Sequence, residues 1–338
     1  MNLGIVIVNW NVKPLLRRAL SSLYAALPSS SEVSWQVWVV DNASTDGSVD
    51  MLSTDFPWVH TLPLTENMGF GAANNLALFA LGLLPGRSTL DLYSRSFPLA
   101  RTLVGDVPSD GWRPDAVLFL NPDTEVTPQS LTRLLKTLFA NPRTGMVGPR
   151  LEYPDGQHQH SAFEFPGFRQ MFLEFFPLHP RLYHSRLNGR YAKVLYQGKT
   201  PFPVDFILGA AMMVRAEVIE EVGGFDEGYW LYCEEMDWAR RIRAAGWEIR
   251  VDPTALVIHY EGQSSRQFRE RAFVALWESR LRYFQKYHSP MFNFWMHKLI
   301  RLGLYKWRWH ALRLPPQERS QRLQAYAKLE SLLARYHQ

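Results

Sequence analysis

The chain opens on an apolar run with no polar position to break it, Gly4-Ile5-Val6-Ile7-Val8. Such a run predicts a strand buried on both faces, as in the middle of a parallel sheet. Pro14 suits the first turn of a helix over about 14–25. Val37-Trp38-Val39-Val40 predicts a second strand, and the polar turn that follows, Asp41 to Ser48, carries capping residues for a short helix. A third strand leads to the glycine turn Asn67-Met68-Gly69-Phe70-Gly71 and another helix. Val117 to Leu120 is again a short apolar run, and Pro122 stops it. Strands alternating with helices predict right-handed βαβ units. The fold class is therefore α/β, with a Rossmann-like, mostly parallel central sheet flanked by helices.

Further along, Thr127-Pro128 begins an amphipathic helix to about Ala140, and short strands are expected at 145–148 and 150–153. One bent strand is expected over 206–214. A helix opens at Glu234, a short strand closes at Val251-Asp252-Pro253, and another over 255–258 ends at His259. Two stretches lack periodicity. Residues 82–115, with Pro85, Pro98, Pro108 and Pro114, predict an insertion holding a short helix at 93–104. Residues 157–200, rich in aromatics, histidine and arginine, predict a mobile segment over the site.

Composition narrows the class. Of 338 residues, 46% are hydrophobic and 20% charged, which suits a folded chain rather than a disordered one. The single cysteine, Cys233, rules out an intrachain disulfide and points to a reducing, cytoplasmic setting. The first residues lack a basic n-region and a cleavage site, so no signal peptide is expected there. No apolar run is long enough to span a bilayer. Net charge is +5, unevenly placed: from Arg266 onward there are 15 Lys+Arg against 4 Asp+Glu. A basic tail on a mildly acidic body suits an anionic surface, and a solvated basic helix pair accounts for it equally.

The candidate chemistry sits at strand ends. Asp123 follows a buried strand, where ligands bind in open α/β sheets and where a carboxylate can hold a divalent cation on a diphosphate. Taken alone, it reads first as turn chemistry. Asp41 ends the second strand and has two readings: an acceptor for the N3–H of uracil or thymine, or a cap in an Asx turn. Gly69-Phe70-Gly71-Ala72-Ala73-Asn74 lacks the third glycine of the dinucleotide fingerprint, so a nicotinamide enzyme is rejected; its glycines still allow close backbone approach. Glu234, Glu235 and Asp237 open a helix beside the aromatic run Tyr229-Trp230-Leu231-Tyr232. They read either as a first turn favoured by the helix dipole or as a source of a general base. His259 ends its strand as Asp123 does, and the two could share a metal.

In order, these stations resemble family 2 glycosyltransferases of the GT-A fold, especially the rhamnosyltransferase and galactofuranosyltransferase-like branch. The matching residues are Ile7-Val8-Asn9-Trp10-Asn11, Val39-Val40-Asp41-Asn42-Ala43-Ser44, Asn67 to Gly71, Leu120-Asn121-Pro122-Asp123, Glu234 to Asp237 and His259 to Ser264, spread over roughly 3–288. The resemblance implies an inverting, metal-dependent enzyme. It would move a rhamnose- or galactofuranose-like sugar from a UDP- or dTDP-sugar to a hydroxyl of a glycan or lipid-linked acceptor in cell-surface polysaccharide synthesis. Val8, Asn9, Asp41, Asn67, Gly69, Phe70, Asn121 and Asp123 would line the nucleotide-sugar site. Asp123 and His259 would hold Mg²⁺ or Mn²⁺. Glu235 would stand at the family's catalytic base, with Glu234 and Asp237 beside it. Asn121 replaces the first aspartate of the family's metal motif, which weakens its claim as a ligand.

The same resemblance divides the chain into a catalytic domain over 1–265 and a basic helical tail over 266–338. Residues 1–125 would form the nucleotide-binding half and 126–265 the acceptor half. On a helical wheel for 291–309, Phe292, Trp295, Met296, Leu299, Ile300 and Trp307 share a broad face, with His297, Lys298, Arg301 and Arg308 opposite and Lys306 breaking the separation. That face would either lie on an anionic membrane at its cytoplasmic side or pack on the body. No nucleic-acid partner is expected, and no oligomeric state is implied. A nucleotidyltransferase would want a phosphate-binding lysine in a glycine-rich first loop, where Asn9-Trp10-Asn11 stands. A processive synthase would need membrane spans. A non-catalytic nucleotide-sugar-binding or membrane scaffold protein is the rival from another class.

Overall fold

Side chains alternate across β1 (Asn2–Asn9): Leu3, Ile5 and Ile7 enter one hydrophobic layer, Val6 and Val8 the other. A strand buried on both faces needs cover on each. The computed structural model, which describes residues 1–28, 32–84, 111–262 and 269–336, supplies helices for both. β2 (Ser34–Asp41) and β3 (Val59–Pro63) pair in parallel on one side of β1, and β4 (Ala116–Leu120) on the other. Helices α1 (Lys13–Ala26) and α2 (Ser48–Asp55) cover one face, joined by α4 (Ser130–Ala140); α3 (Phe70–Ala80) covers the other.

Beyond β4 the sheet is mixed. β5 (Thr124–Val126), β6 (Thr144–Glu152), β11 (Ala211–Arg215) and β12 (Glu248–His259) extend it in the order β4-β11-β6-β12-β5. β11 opposes both neighbours, and β6 and β12 are parallel. β1, β2, β3, β4, β6 and β12 therefore run one way, and their carboxyl ends share one edge. That edge is where the site forms.

Several expected boundaries differ. The predicted strands at 145–148 and 150–153 are one strand, β6. The strand break expected at Pro253 is a bulge between Asp252 and Leu256 inside the single strand β12. A bulge relieves the missing proline N–H, so pairing resumes beyond it. The bent strand over 206–214 divides at Leu208-Gly209-Ala210: β10 (Phe206–Ile207) pairs with β8 (Ala162–Phe163), while β11 enters the main sheet.

The mobile segment expected at 157–200 is instead built of short elements. They include β7 (His158–Gln159), β8, helix α5 (Phe168–Phe175) and helical turns at Pro180–Tyr183 and Lys193–Gln197. Its aromatics pack against each other and the tail, as Phe175 does on Trp277 and Trp307. Most of the insertion expected at 82–115, including the helix at 93–104, lies outside the described residues.

Helices α6 (Ala216–Val222) and α7 (Glu234–Ala244) precede β12. Three long helices end the chain: α8 (Arg269–Tyr287), α9 (Pro290–Ala311) and α10 (Pro316–Arg335). α8 and α9 both pack on α10, and α9 also packs on α5. Gly303 allows the last contact, since a Cβ there would fall 2.0 Å from Phe175 Cδ1. Met296, Leu299 and Ile300 are buried in this packing, and Phe292 and Trp307 lie partly buried against the core. Of the two readings of that face, packing on the body is the one observed, with Trp295 alone of the six left exposed. Helix docking takes the aliphatic side because it interdigitates densely. Among the described residues no helix is long and apolar enough to cross a membrane.

Candidate active site

A cavity of about 330 Å³ opens at the carboxyl edge of the sheet, within the range of small-ligand sites. Val8 and Trp10 line it from β1, Asn42 from β2, Asn67 and Phe70 from the turn before α3. Asn121, Pro122 and Asp123 reach it from β4, and His259 from the end of β12. Glu234 and Glu235 close the far side with Trp230 and Tyr232. Four strand ends, those of β1, β2, β4 and β12, meet there because the strands run one way, and the starts of α3 and α7 close in beside them.

Asp123 and His259 are both nearly buried, and His259 Nε2 lies 3.4 Å from Asp123 Oδ1. Strand pairing sets this: His259 stands opposite Thr124, and the Tyr260 N–H donates to the Asp123 carbonyl at 2.9 Å. His259 Nδ1 meets Gln159 Oε1 at 3.1 Å. The amide oxygen only accepts, so Nδ1 carries the proton, and in the neutral ring Nε2 turns its lone pair toward the carboxylate. An oxygen and a nitrogen donor, oriented from behind, fit a divalent cation that takes its remaining ligands from a diphosphate and water. Among the described residues no group of three protein ligands gathers, so such an ion would need the ligand's oxygens. Gln159, distant in sequence and in an irregular stretch, gave no signal of this contact.

The acidic turn divides in two. Glu234 is buried and Glu235 partly exposed, and each has an Oε2 with no hydrogen-bond partner. Burial raises the Glu235 carboxyl to about 7, and burial together with the charge of Glu235 pushes Glu234 well above the usual range. Tyr232 and Cys233, at φ 68° and 67°, lead into the helix through two left-handed non-glycine residues. Such strain is held only by firm surroundings, here the bond from Ser279 Oγ on α8 to the Leu231 carbonyl at 2.8 Å.

Asp237, expected with the other two, does not line the cavity. It is fully buried among Arg241 Nε at 2.9 Å, Lys286 Nζ at 2.7 Å and the Tyr287 hydroxyl at 2.8 Å. Two positions past Glu235 it lies on the opposite side of α7, where it ties α7 to α8.

Asp41 also differs from its expected role at the cavity. Its Oδ1 accepts the Ser44 N–H at 2.8 Å and its Oδ2 accepts Asn9 Nδ2 at 2.8 Å. Both residues hold the turn after β2, the Asx reading, and neither lines the cavity. Asp46 caps α2 through Ser48. The cavity-lining position belongs to the next residue, also buried: Asn42 Oδ1 accepts the Met68 N–H at 2.9 Å and its Nδ2 donates to the Gly69 carbonyl at 3.1 Å. Gly69 lies behind the wall. At φ 87°, it lets the Phe70 N–H reach the Trp230 carbonyl, and a Cβ there would fall 2.3 Å from that oxygen. Sequence reasoning did not single out Asn42 or the Leu208-Gly209-Ala210 link, which also lines the cavity; the run of small residues there was its one visible sign.

Comparison with known proteins places this geometry among relatives. The family described as "Glycosyl transferase family 2" matches residues 4–81, and "Glycosyl transferase family group 2" matches 116–316. The N-acetylglucosaminyl-diphospho-decaprenol L-rhamnosyltransferase of Mycobacterium tuberculosis is 30% identical over 271 residues, 78% of this chain and 77% of that protein. Rhamnosyltransferase WbbL of Escherichia coli K12 is 27% identical over 181 residues, 50% of this chain and 61% of WbbL. The mannosyltransferase PcManGT of Pyrobaculum calidifontis, solved with GDP-Man and Mn²⁺, aligns with a TM-score of 0.55 at 17% identity, covering 99% of this chain and 86% of that one. At that identity the likeness is one of fold, and the fold is GT-A.

Proposed function

The chain belongs to glycosyl transferase family 2, in its rhamnosyltransferase-like branch, and on that premise we propose its reaction. It transfers a rhamnose-type sugar from a UDP- or dTDP-sugar to a hydroxyl of a glycan or lipid-linked acceptor. The setting is cell-surface polysaccharide synthesis on the cytoplasmic side. The observation that carries this reading is one cavity walled on one side by the Asp123–His259 pair and on the other by Glu235 with its unpartnered oxygen.

Asp123 and His259 would hold Mg²⁺ or Mn²⁺, and such an ion offsets the charge of a departing diphosphate. Glu235 takes the proton of the acceptor hydroxyl. The hydroxyl oxygen bonds to the anomeric carbon from the side opposite the diphosphate. The carbon–oxygen bond to phosphate breaks, and its electron pair leaves with the nucleoside diphosphate. One displacement inverts the anomeric centre. A carboxyl that titrates near neutrality suits this task. Asn42 holds the Met68–Gly69 backbone, so the nucleotide wall is set before the donor arrives.

The test is a screen of nucleotide sugars for release of nucleoside diphosphate in the presence of glycan and lipid-linked acceptors. Release from a rhamnosyl donor that needs acceptor and disappears in Glu235→Gln supports the reading. Donor binding with no release from any sugar would identify a non-catalytic binder instead.

A further inference from the structure

We propose that the outward face of α9 is a docking surface for an anionic lipid bilayer. It is not the face that the helical wheel favoured, which is buried against α5 and α10. Met291, Trp295, Leu302, Tyr305, Trp309 and Leu312 recur at steps of three, four and seven, so they fall along one side of the helix. All are exposed, from 52% at Trp309 to 74% at Tyr305. Single exposed apolar residues are ordinary, but five on one face of one helix, with Leu312 at its C-cap, form a patch. α5, packed alongside, leaves Phe168 and Phe172 each 39% exposed.

Charge selects the occupant. Lys298, Arg301 and Arg313 are exposed along the same side, and the sequence has no acidic residue between Glu278 and Glu318. A second copy meeting this face about a two-fold axis would set these cations near their own equivalents, which opposes association. An anionic bilayer answers both features at once: phosphate groups meet the cations, and tryptophan and tyrosine favour the interface between headgroup and acyl chain. The face lines no part of the cavity, so the inference stands apart from the sugar-transfer reading.

The experiment is sedimentation of the full chain with vesicles of phosphatidylcholine alone or mixed equally with phosphatidylglycerol. Binding to the mixed vesicles is expected to exceed binding to the neutral ones by about tenfold or more and to weaken as salt rises. Lys298→Glu/Arg301→Glu is expected to lower it about tenfold or more, and Trp295→Ser/Trp309→Ser severalfold. Circular dichroism matching the wild type shows that these surface variants fold. Equal binding to both vesicle types, or unchanged binding in both folded variants, overturns the proposal. So does a lipid-free dimer that Trp295→Ser/Trp309→Ser dissociates, because the face would then belong to a second copy. The readout is binding, so loss of turnover does not bear on it.

Discussion

His259 meets Asp123 through strand register: the end of β12 pairs against β5, which sets the imidazole Nε2 3.4 Å from Asp123 Oδ1. Gln159 completes the arrangement from behind, at 3.1 Å from Nδ1. The amide fixes which nitrogen faces the cavity, and it does so from a two-residue strand, β7, that pairs with β6.

Gln159→Leu removes this orienting acceptor while leaving Asp123 and His259 in place. Loss of such a partner typically weakens a metal site about 10–100-fold. Titration calorimetry with Mn²⁺ and a nucleoside diphosphate is expected to show that loss, and Asp123→Ala or His259→Ala at least as large a one. Affinity unchanged in all three, with and without EDTA, would remove the metal role from this corner.

Gly69→Ala tests the wall between the nucleotide turn and the acidic loop. The new methyl would meet the Trp230 carbonyl at 2.3 Å, in a left-handed backbone that resists side chains. A cost of about 1–3 kcal/mol is expected, read as a lower denaturation midpoint. If the chain relaxes by moving Trp230, donor KM rises more than kcat falls.

Glu235→Gln tests the base. Burial raises the Glu235 carboxyl to about 7, so the ionised form that accepts a proton grows as pH rises through that value. The wild-type rate is expected to climb tenfold per pH unit well below 7 and to level off above it. The variant is expected to lose at least about 100-fold in kcat, with donor affinity kept. A flat wild-type profile between pH 5.5 and 8 would assign the proton to another group.

Much of this site was legible because strands announce their ends. The runs Ile5 to Val8, Val37 to Val40 and Val117 to Leu120 are apolar throughout, and Pro122 marks where the third stops. Parallel pairing then carries Val8, Asn42 and Asp123 to one edge. Contacts between distant elements left no local trace. Asp41 and Asn42 are neighbours in one polar turn, and only the approach of Ser44, Asn9 and Met68 decides which faces the cavity. Pro253 looks like a strand terminator until a bulge absorbs it. On α9 the wheel grouped Trp295 with Met296 and Ile300, and the packing that separates them rests on distant contacts such as Phe175 meeting Gly303.

Asp237 and Glu235 share a helical turn yet answer to opposite demands, and stability measurements separate them. Asp237 is fully buried, and its carboxylate accepts from Arg241, Lys286 and Tyr287. Removing one partner of a buried ion pair costs about 3–5 kcal/mol. Lys286 is one-third exposed and keeps Asp226 at 2.7 Å, so Asp237→Ala is expected near the lower end, about 3 kcal/mol. Glu235 runs the other way. Its folded carboxyl titrates above the ordinary value of 4.5, so the folded state holds that proton more tightly than the unfolded chain. The stability this provides is complete below pH 4.5 and is lost as pH rises through 7. At pH 8 the wild type therefore holds, in the cavity wall, a charge that Gln would not carry. Urea denaturation at pH 8 is expected to find Glu235→Gln at least as stable as the wild type and Asp237→Ala much less so. Equal destabilisation by both would mean that Glu235, too, is a structural acid, and the base would have to be sought elsewhere in the cavity.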